Sequence, residues 1–327
     1  MGDKTGISWT DASWNPVSGC AKVSAGCKHC YAEREWGRLQ HLENYAGRAF
    51  TDVGCHPDRL DQPLRWRRPR KVFVNSMSDL FHEAVPDEFI DRVFAVMALA
   101  KQHTFQVLTK RPERMLAYMT RLGKSAKLLD DAARAMGYTF EFKGQYLVTW
   151  PISNVWLCVS IEDQPTADER IPLLLRTPAA VRGISAEPLL GPVDLGFGSP
   201  LGEDQDSSVG CYPCGSGAGR HEHFISETCG RGINWVVVGG ESGPKARPMH
   251  PDWARSLREQ CEAAGVPFFF KQTGLWQHVE SVEDSRNLPP EKLKYFPEID
   301  ATFVRTKGGG AEELDGRRHQ EWPRRAA

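Results

Sequence analysis

Three cysteines fall within one short loop, Cys20-Ala-Lys-Val-Ser-Ala-Gly-Cys27-Lys-His-Cys30, in the spacing C-x6-C-x2-C. Thiolates select soft metals: zinc, copper(I) and iron–sulfur clusters. Three thiols in one polar, glycine-punctuated loop therefore point to metal ligation. A structural zinc wants a fourth donor, and His29 is the nearest one. A [4Fe-4S] cluster held by three cysteines instead of the usual four keeps one iron open for chemistry. Reduced thiols with a structural role are the third reading.

A second group lies far along the chain: Cys211-Tyr-Pro-Cys214, then His221-Glu-His223 and Cys229. This is zinc-knuckle-like spacing, and either histidine could complete it. It sits in residues 196–232, a glycine-rich and acidic stretch too small to build its own core. A metal would supply its folding energy. Cys55, Cys158 and Cys261 stand alone and are expected to be buried structural residues.

The elements that must position these groups alternate regularly. Apolar runs at 6–10, 71–75, 104–108, 155–159, 180–184, 233–238 and 266–270 read as strands. Amphipathic stretches at 86–101, 113–136, 167–176 and 252–264 read as helices between them, the last stopped by Gly265. Near-continuous apolar strands are what a parallel sheet covered on both faces requires. The expected fold is α/β, a partial or complete parallel (βα) barrel of about six to seven strands. Its domain would span residues 1–275, with the Cys/His-rich insertion inside it and an extension over 276–327. Residues 137–150 look like a further insertion.

Most of these strands end in polar residues, and in a parallel barrel such ends converge on one rim. Lys110, Glu162, Glu187 and Glu241 are the candidate catalytic groups there. Asn75, Ser76, Asp79, Ser160, Gly239 and Gly240 are candidate cofactor-binding positions. Arg65-Trp66-Arg67-Arg68-Pro69-Arg70-Lys71 combines charge with one aromatic ring, which suits phosphate contact with base stacking. The plainer reading of that run is a solvated approach to a strand.

Composition sets the frame. Over 327 residues the net charge is −1, so nucleic-acid binding would need a local patch rather than the whole surface. Clustered cysteines suggest ligands in a reducing compartment rather than a secreted disulfide framework. The opening residues lack the pattern of a signal peptide, and no apolar run is long enough to span a membrane. A cytoplasmic setting is expected.

Trp14-Asn15-Pro16-Val17-Ser18-Gly19-Cys20, followed by Cys27-Lys-His-Cys30-Tyr31-Ala32-Glu33, resembles the phage-associated three-Cys-motif protein family. Residues 75–81, 108–112, 238–244 and 247–253 match other motifs of that family. It in turn resembles the radical S-adenosylmethionine (SAM) enzymes, including the spore photoproduct lyases. The resemblance implies a partial (βα)6 barrel in which three cysteines hold a [4Fe-4S] cluster and SAM binds the fourth iron. Cys20, Cys27 and Cys30 would be the ligands, and His29 would lie near the adenine. An electron donor of flavodoxin or ferredoxin type would be a partner, and a phage-encoded copy would work in the host cytoplasm. The spacer here is six residues where those enzymes have three. Their Gly-Gly-Glu follows an early strand whereas Gly239-Gly240-Glu241 follows a late one, so that role is not transferred.

The resulting expectation is a radical-SAM-type enzyme with a nucleic acid as its substrate, acting in DNA modification or repair. Two alternatives stand beside it. One is a non-catalytic nucleic-acid-binding protein stapled by zinc or a cluster, with a partner protein doing the chemistry. The other is a cluster redox or sensing protein that binds no SAM.

Overall fold

The computed structural model describes residues 5–125, 127–138, 150–197, 232–280, 286, 288–306 and 310–323. Cys211, Cys214, His221, His223 and Cys229, the expected zinc group, lie outside the described residues, as do residues 139–149. Elements follow in chain order: β1 (Ala12–Trp14), β2 (Val17–Ser18), α1 (Tyr31–Leu39), β3 (Gly54–Cys55), β4 (Lys71–Val74), α2 (Asp87–Leu99), β5 (Thr104–Thr109), α3 (Pro112–Lys124), α4 (Lys127–Ala135) and β6 (Val155–Ile161). Then come α5 (Gln164–Arg176), β7 (Val181–Ala186), β8 (Trp235–Gly239), α6 (Pro251–Ala264), β9 (Phe268–Gln272), β10 (Trp276–His278), β11 (Leu293–Phe296) and β12 (Ala301–Arg305).

Seven parallel strands run in the order β1-β4-β5-β6-β7-β8-β9, the sequential order of a partial (βα) barrel, with β1 and β9 at its edges. The chain divides into two compact units. The first is Met1–Ser160 with Arg170–Arg182 and Arg325–Ala327; the second is Ile161–Glu169 with Gly183–Arg324. Among the described residues no helix is long and apolar enough to cross a membrane.

In the first unit β4 is Lys-Val-Phe-Val and buries its last three residues; β6 is buried throughout. Both faces of these strands are covered, which is why they read as unbroken apolar runs. α2 turns Phe89, Val93, Val96 and Met97 inward, as its periodicity requires, and adds Ile90 and Phe94. Asp87 and Glu88 sit in its first turn, where the helix dipole favours negative charge. The first strand lies later than the apolar run at 6–10. Residues 7–10 form a turn, closed by the Thr10 amide donating to the Ile7 carbonyl, and Trp9 packs edge-on against Phe73. The helix expected over 113–136 is two, because Ser125 leaves helical backbone after α3, at φ −148° and ψ 79°. Cys55 lies in β3 and is only half-buried, whereas Cys158 and Cys261 are buried as expected.

In the second unit α6 has a well-formed start and stop. The His250 ring accepts from the Asp252 amide, Pro251 opens the helix, and Gly265 ends it with left-handed backbone, φ 67°. The extension after β9 folds as an antiparallel sheet of order β10-β12-β11. Residues 319–321 then return along β9: the Phe270 amide donates to the His319 carbonyl and the Glu321 amide to the Phe268 carbonyl. That return covers an edge strand that would otherwise present unpaired backbone groups.

His56 sets a pH limit on the first unit. Its amide donates to the Pro16 carbonyl, and its Nε2 lies 2.7 Å from the Ser18 hydroxyl. Burial pushes its pKa from 6.5 down to about 4, helped by the charges of Arg59 and Arg48. The unfolded chain therefore binds a proton near pH 6.5 that the folded chain refuses until about 4. Stability should be level above pH 6.5 and fall as pH drops toward 4. Urea unfolding across this range should show that slope, and His56→Gln should flatten it; an unchanged slope in the variant would contradict the assignment.

Candidate metal centre

The cysteine loop is sewn to the end of β4 before any metal is considered. Gly19 precedes Cys20 with φ 89°, and a Cβ there would lie 2.6 Å from the Asp52 carbonyl oxygen, so only glycine fits. The Gly19 amide donates to the Met77 carbonyl and the Cys20 amide to the Phe50 carbonyl. Buried Asn15 accepts at Oδ1 from the Ser76 hydroxyl and the Met77 amide, both at 3.1 Å. The Tyr31 hydroxyl, from the first turn of α1, donates to the Ser76 carbonyl. Loop and strand end are thus one polar bed.

Asn75 is the pivot of that bed. It follows β4 with φ 62°, a left-handed backbone that asparagine tolerates better than most residues. Its Oδ1 accepts from the Val17 amide at 3.3 Å. Its Nδ2 is buried and has no hydrogen-bond partner. The Tyr45 hydroxyl and His82 Nε2 share that state, and such a donor can be met by water or by a bound molecule.

Behind the bed lies a charged network. The Asp79 carboxylate accepts from the Thr109 hydroxyl (2.8 and 2.9 Å), the Lys110 amide (3.0 Å), the Phe81 amide (3.0 Å) and Arg111 Nη1 (3.3 Å). Asp79 thus anchors the strand ends through protein partners. Arg111, buried at 5 % exposure, also donates from Nε to Glu83 at 3.1 Å and from Nη2 to the Ala21 carbonyl at 3.2 Å. Its Nη1 lies 3.7 Å from Cys20 Sγ. Lys110 donates from Nζ to the Ser160 hydroxyl at 2.7 Å, so these two expected site residues do meet.

All three thiols are free and partly exposed. Burial raises the Cys20 pKa to about 11, and the Asp79 charge adds to it while Arg111 opposes. Burial raises Cys30 too, against the pull of the Glu33 and Ala32 amides at the start of α1. Cys27 is close enough to both to disfavour their ionised forms. Among the described residues no three His, Cys, Asp or Glu side chains converge where one metal ion could sit. A zinc ion would draw its thiolates to within roughly 4 Å of each other, given Zn–S bonds of about 2.3 Å. A cubane cluster spreads its ligands over separate corners. Three free thiols on one short loop are a donor set that matches a cluster held at three of its corners.

In the second unit the rim groups are paired with each other. Arg247 donates from Nη2 to Glu241 Oε1 at 2.7 Å, and from Nε and its own amide to Oε2 at 2.9 and 2.8 Å. Glu241 thus closes its own loop through Arg247. Lys271 bonds Glu187, and Gly239 leaves room beside that pair, where a Cβ would lie 3.4–3.5 Å from both side chains. A Cβ on Gly240 would strike the Thr273 carbonyl at 2.2 Å, so this glycine serves a close backbone crossing. Glu162 is fully buried and its backbone carbonyl accepts from the Leu190 amide.

The basic run is reduced in scope. Trp66 is buried, edge-on to His103 with Arg70 over its ring, and so offers no face to a base. Arg65 pairs with Asp61; Arg67 and Arg68 are exposed, and Arg70 and Lys71 are half-buried. Sequence reasoning gave no role to Asn15, which lies inside a recognised motif, or to Glu83, which follows another; their partners lie far along the chain.

Removing the Asp79 anchor leaves Arg111 buried without its main counter-charge. Asp79→Ala should cost about 3–5 kcal/mol of unfolding free energy, and Thr109→Val about 1 kcal/mol, read from urea midpoints. Equal losses in the two variants would contradict the central place given to Asp79.

Comparison with known families gives a match. The model of a family described as "Protein of unknown function (DUF5131)" matches residues 4–323, and the chain belongs to that family. A comparison with curated protein sequences gives no match. Among solved structures the chain is similar to spore photoproduct lyase complexed with dinucleoside spore photoproduct, at 10% identity, covering 93% of this chain and 71% of that one, TM-score 0.39. It is similar to a cysteine-to-serine mutant of that lyase at 9% identity, with 94% and 72% covered and a TM-score of 0.40. A double mutant with bound AdoMet and dinucleoside spore photoproduct gives 9% identity, 90% and 68% covered, TM-score 0.39.

Proposed function

We propose that this member of the DUF5131 family is an iron–sulfur enzyme of radical-SAM type, with Cys20, Cys27 and Cys30 holding a [4Fe-4S] cluster. The observation that carries the reading is the three-thiol loop itself, seated on the ends of the parallel strands β4 and β5; a cluster held by three cysteines keeps one iron without a protein donor. When bound and reduced, such a cluster supplies one electron that splits SAM into methionine and a 5′-deoxyadenosyl radical able to take a hydrogen atom from substrate. An electron donor of flavodoxin or ferredoxin type would feed it.

The chain's own residues hold and orient. Asn15 and Gly19 fix the loop against the Ser76–Met77 turn. Asn75 offers its spare amide N–H to a polar group of the bound molecule. Lys110, half-buried and held by Ser160, brings a positive charge to the strand ends, where a carboxylate would be welcome. For the substrate we take a nucleic acid, on the strength of exposed Arg67 and Arg68, which can meet phosphates.

Anaerobic reconstitution with iron and sulfide tests the reading. Wild type should take up about four iron and four sulfide per chain, and Cys20→Ala, Cys27→Ala and Cys30→Ala should each lose most of that. Equilibrium dialysis should show SAM bound to the loaded protein and not to the metal-free one. Zinc held by the same thiols, or a loaded protein that ignores SAM, would sink it.

A further inference from the structure

We infer that Arg111 is a positioning residue for Cys20 that also raises the reduction potential of the cluster; the inference rests on the cluster reading above. Arg111 reaches the first of the three thiols directly: its Nη1 lies 3.7 Å from Cys20 Sγ. The same guanidinium donates from Nη2 to the carbonyl of the next residue, Ala21, at 3.2 Å. One rigid fork therefore grips both the ligand atom and the backbone that carries it, which a lysine could not do.

The grip is held from behind. Arg111 directly follows Thr109 and Lys110 at the end of β5, and all three bond Asp79. With the guanidinium buried and locked by Asp79, its direction toward Cys20 does not depend on a surface side chain finding its place. Glu83 binds the outer edge of the same guanidinium, at 3.1 Å from Nε, with a side chain 70% exposed. Its charge offsets part of what Arg111 brings to the sulfur.

The consequence follows from charge. Reduction adds an electron to the cluster and its thiolates. An N–H donor carrying positive charge at a ligand sulfur favours the more negative state, so it raises the potential. A negative charge on that donor does the reverse. A residue serving only to hold the loop would alter how much cluster is retained, not the potential of the cluster that remains.

The test is a redox titration followed by EPR on the reconstituted full chain, with iron and sulfide measured for each sample. Arg111→Gln should shift the midpoint to lower potential. Glu83→Gln, a change at an exposed side chain, should shift it to higher potential with cluster content unchanged. Arg111→Lys keeps the charge and loses the fork, so its shift should be smaller than that of Arg111→Gln. If Arg111→Gln retains too little cluster to titrate, the lysine and Glu83 variants decide. Midpoints equal to wild type, or shifts of one sign in Arg111→Lys and Glu83→Gln, would overturn the inference and leave the cluster reading intact. A wild-type chain that takes up no iron or sulfide would overturn both.

Discussion

A buried negative charge, the Asp79 carboxylate, is what the rim of the first unit is arranged to satisfy. Five hydrogen-bond contacts from four residues reach it: the Thr109 hydroxyl twice, the Lys110 and Phe81 amides, and Arg111. An unpaired carboxylate at that depth would cost several kcal/mol, so the ends of β4 and β5 must stay together. Arg111, held by that demand, reaches Cys20 and Ala21. The position of the first thiol is thus set by an ion pair two strands away from its own.

Two kinds of constraint meet at the loop. One is steric: Gly19 passes under the Asp52 carbonyl where no side chain fits. The other is hydrogen bonding around Asn15, Asn75 and Ser76, in which Asn75 Nδ2 is buried without a partner. The thiols themselves are not locked; burial keeps Cys20 and Cys30 protonated in the metal-free chain, and a bound metal would have to displace those protons.

Much of this was legible because parallel strands covered on both faces leave unbroken apolar runs. β4, β5, β6, β7, β8 and β9 all lie where such runs occur, and Gly265 stops α6 where its left-handed backbone is needed. The thiol spacing and the polar strand ends were equally plain. What was hidden depends on contacts distant in sequence. Trp9 reads as a strand residue, yet it lies in a turn and packs on Phe73, and β1 is Ala12–Trp14. Trp66 sits in a basic run that reads as a binding patch, yet His103 and Arg70 enclose its ring. Glu241 has the type and place of a catalytic group, and only the fold of its loop shows that Arg247 occupies both of its oxygens. Residue type states what chemistry is available; partners decide whether it is free to act.

The central claim is that three thiols hold four irons and leave one open to SAM. Mössbauer spectroscopy on the 57Fe-reconstituted chain, with and without SAM, tests it most directly. The claim predicts that SAM changes the signal of one iron in four and leaves the other three alone. Four irons that do not respond to SAM, or an iron signal that survives loss of all three cysteines, would contradict it.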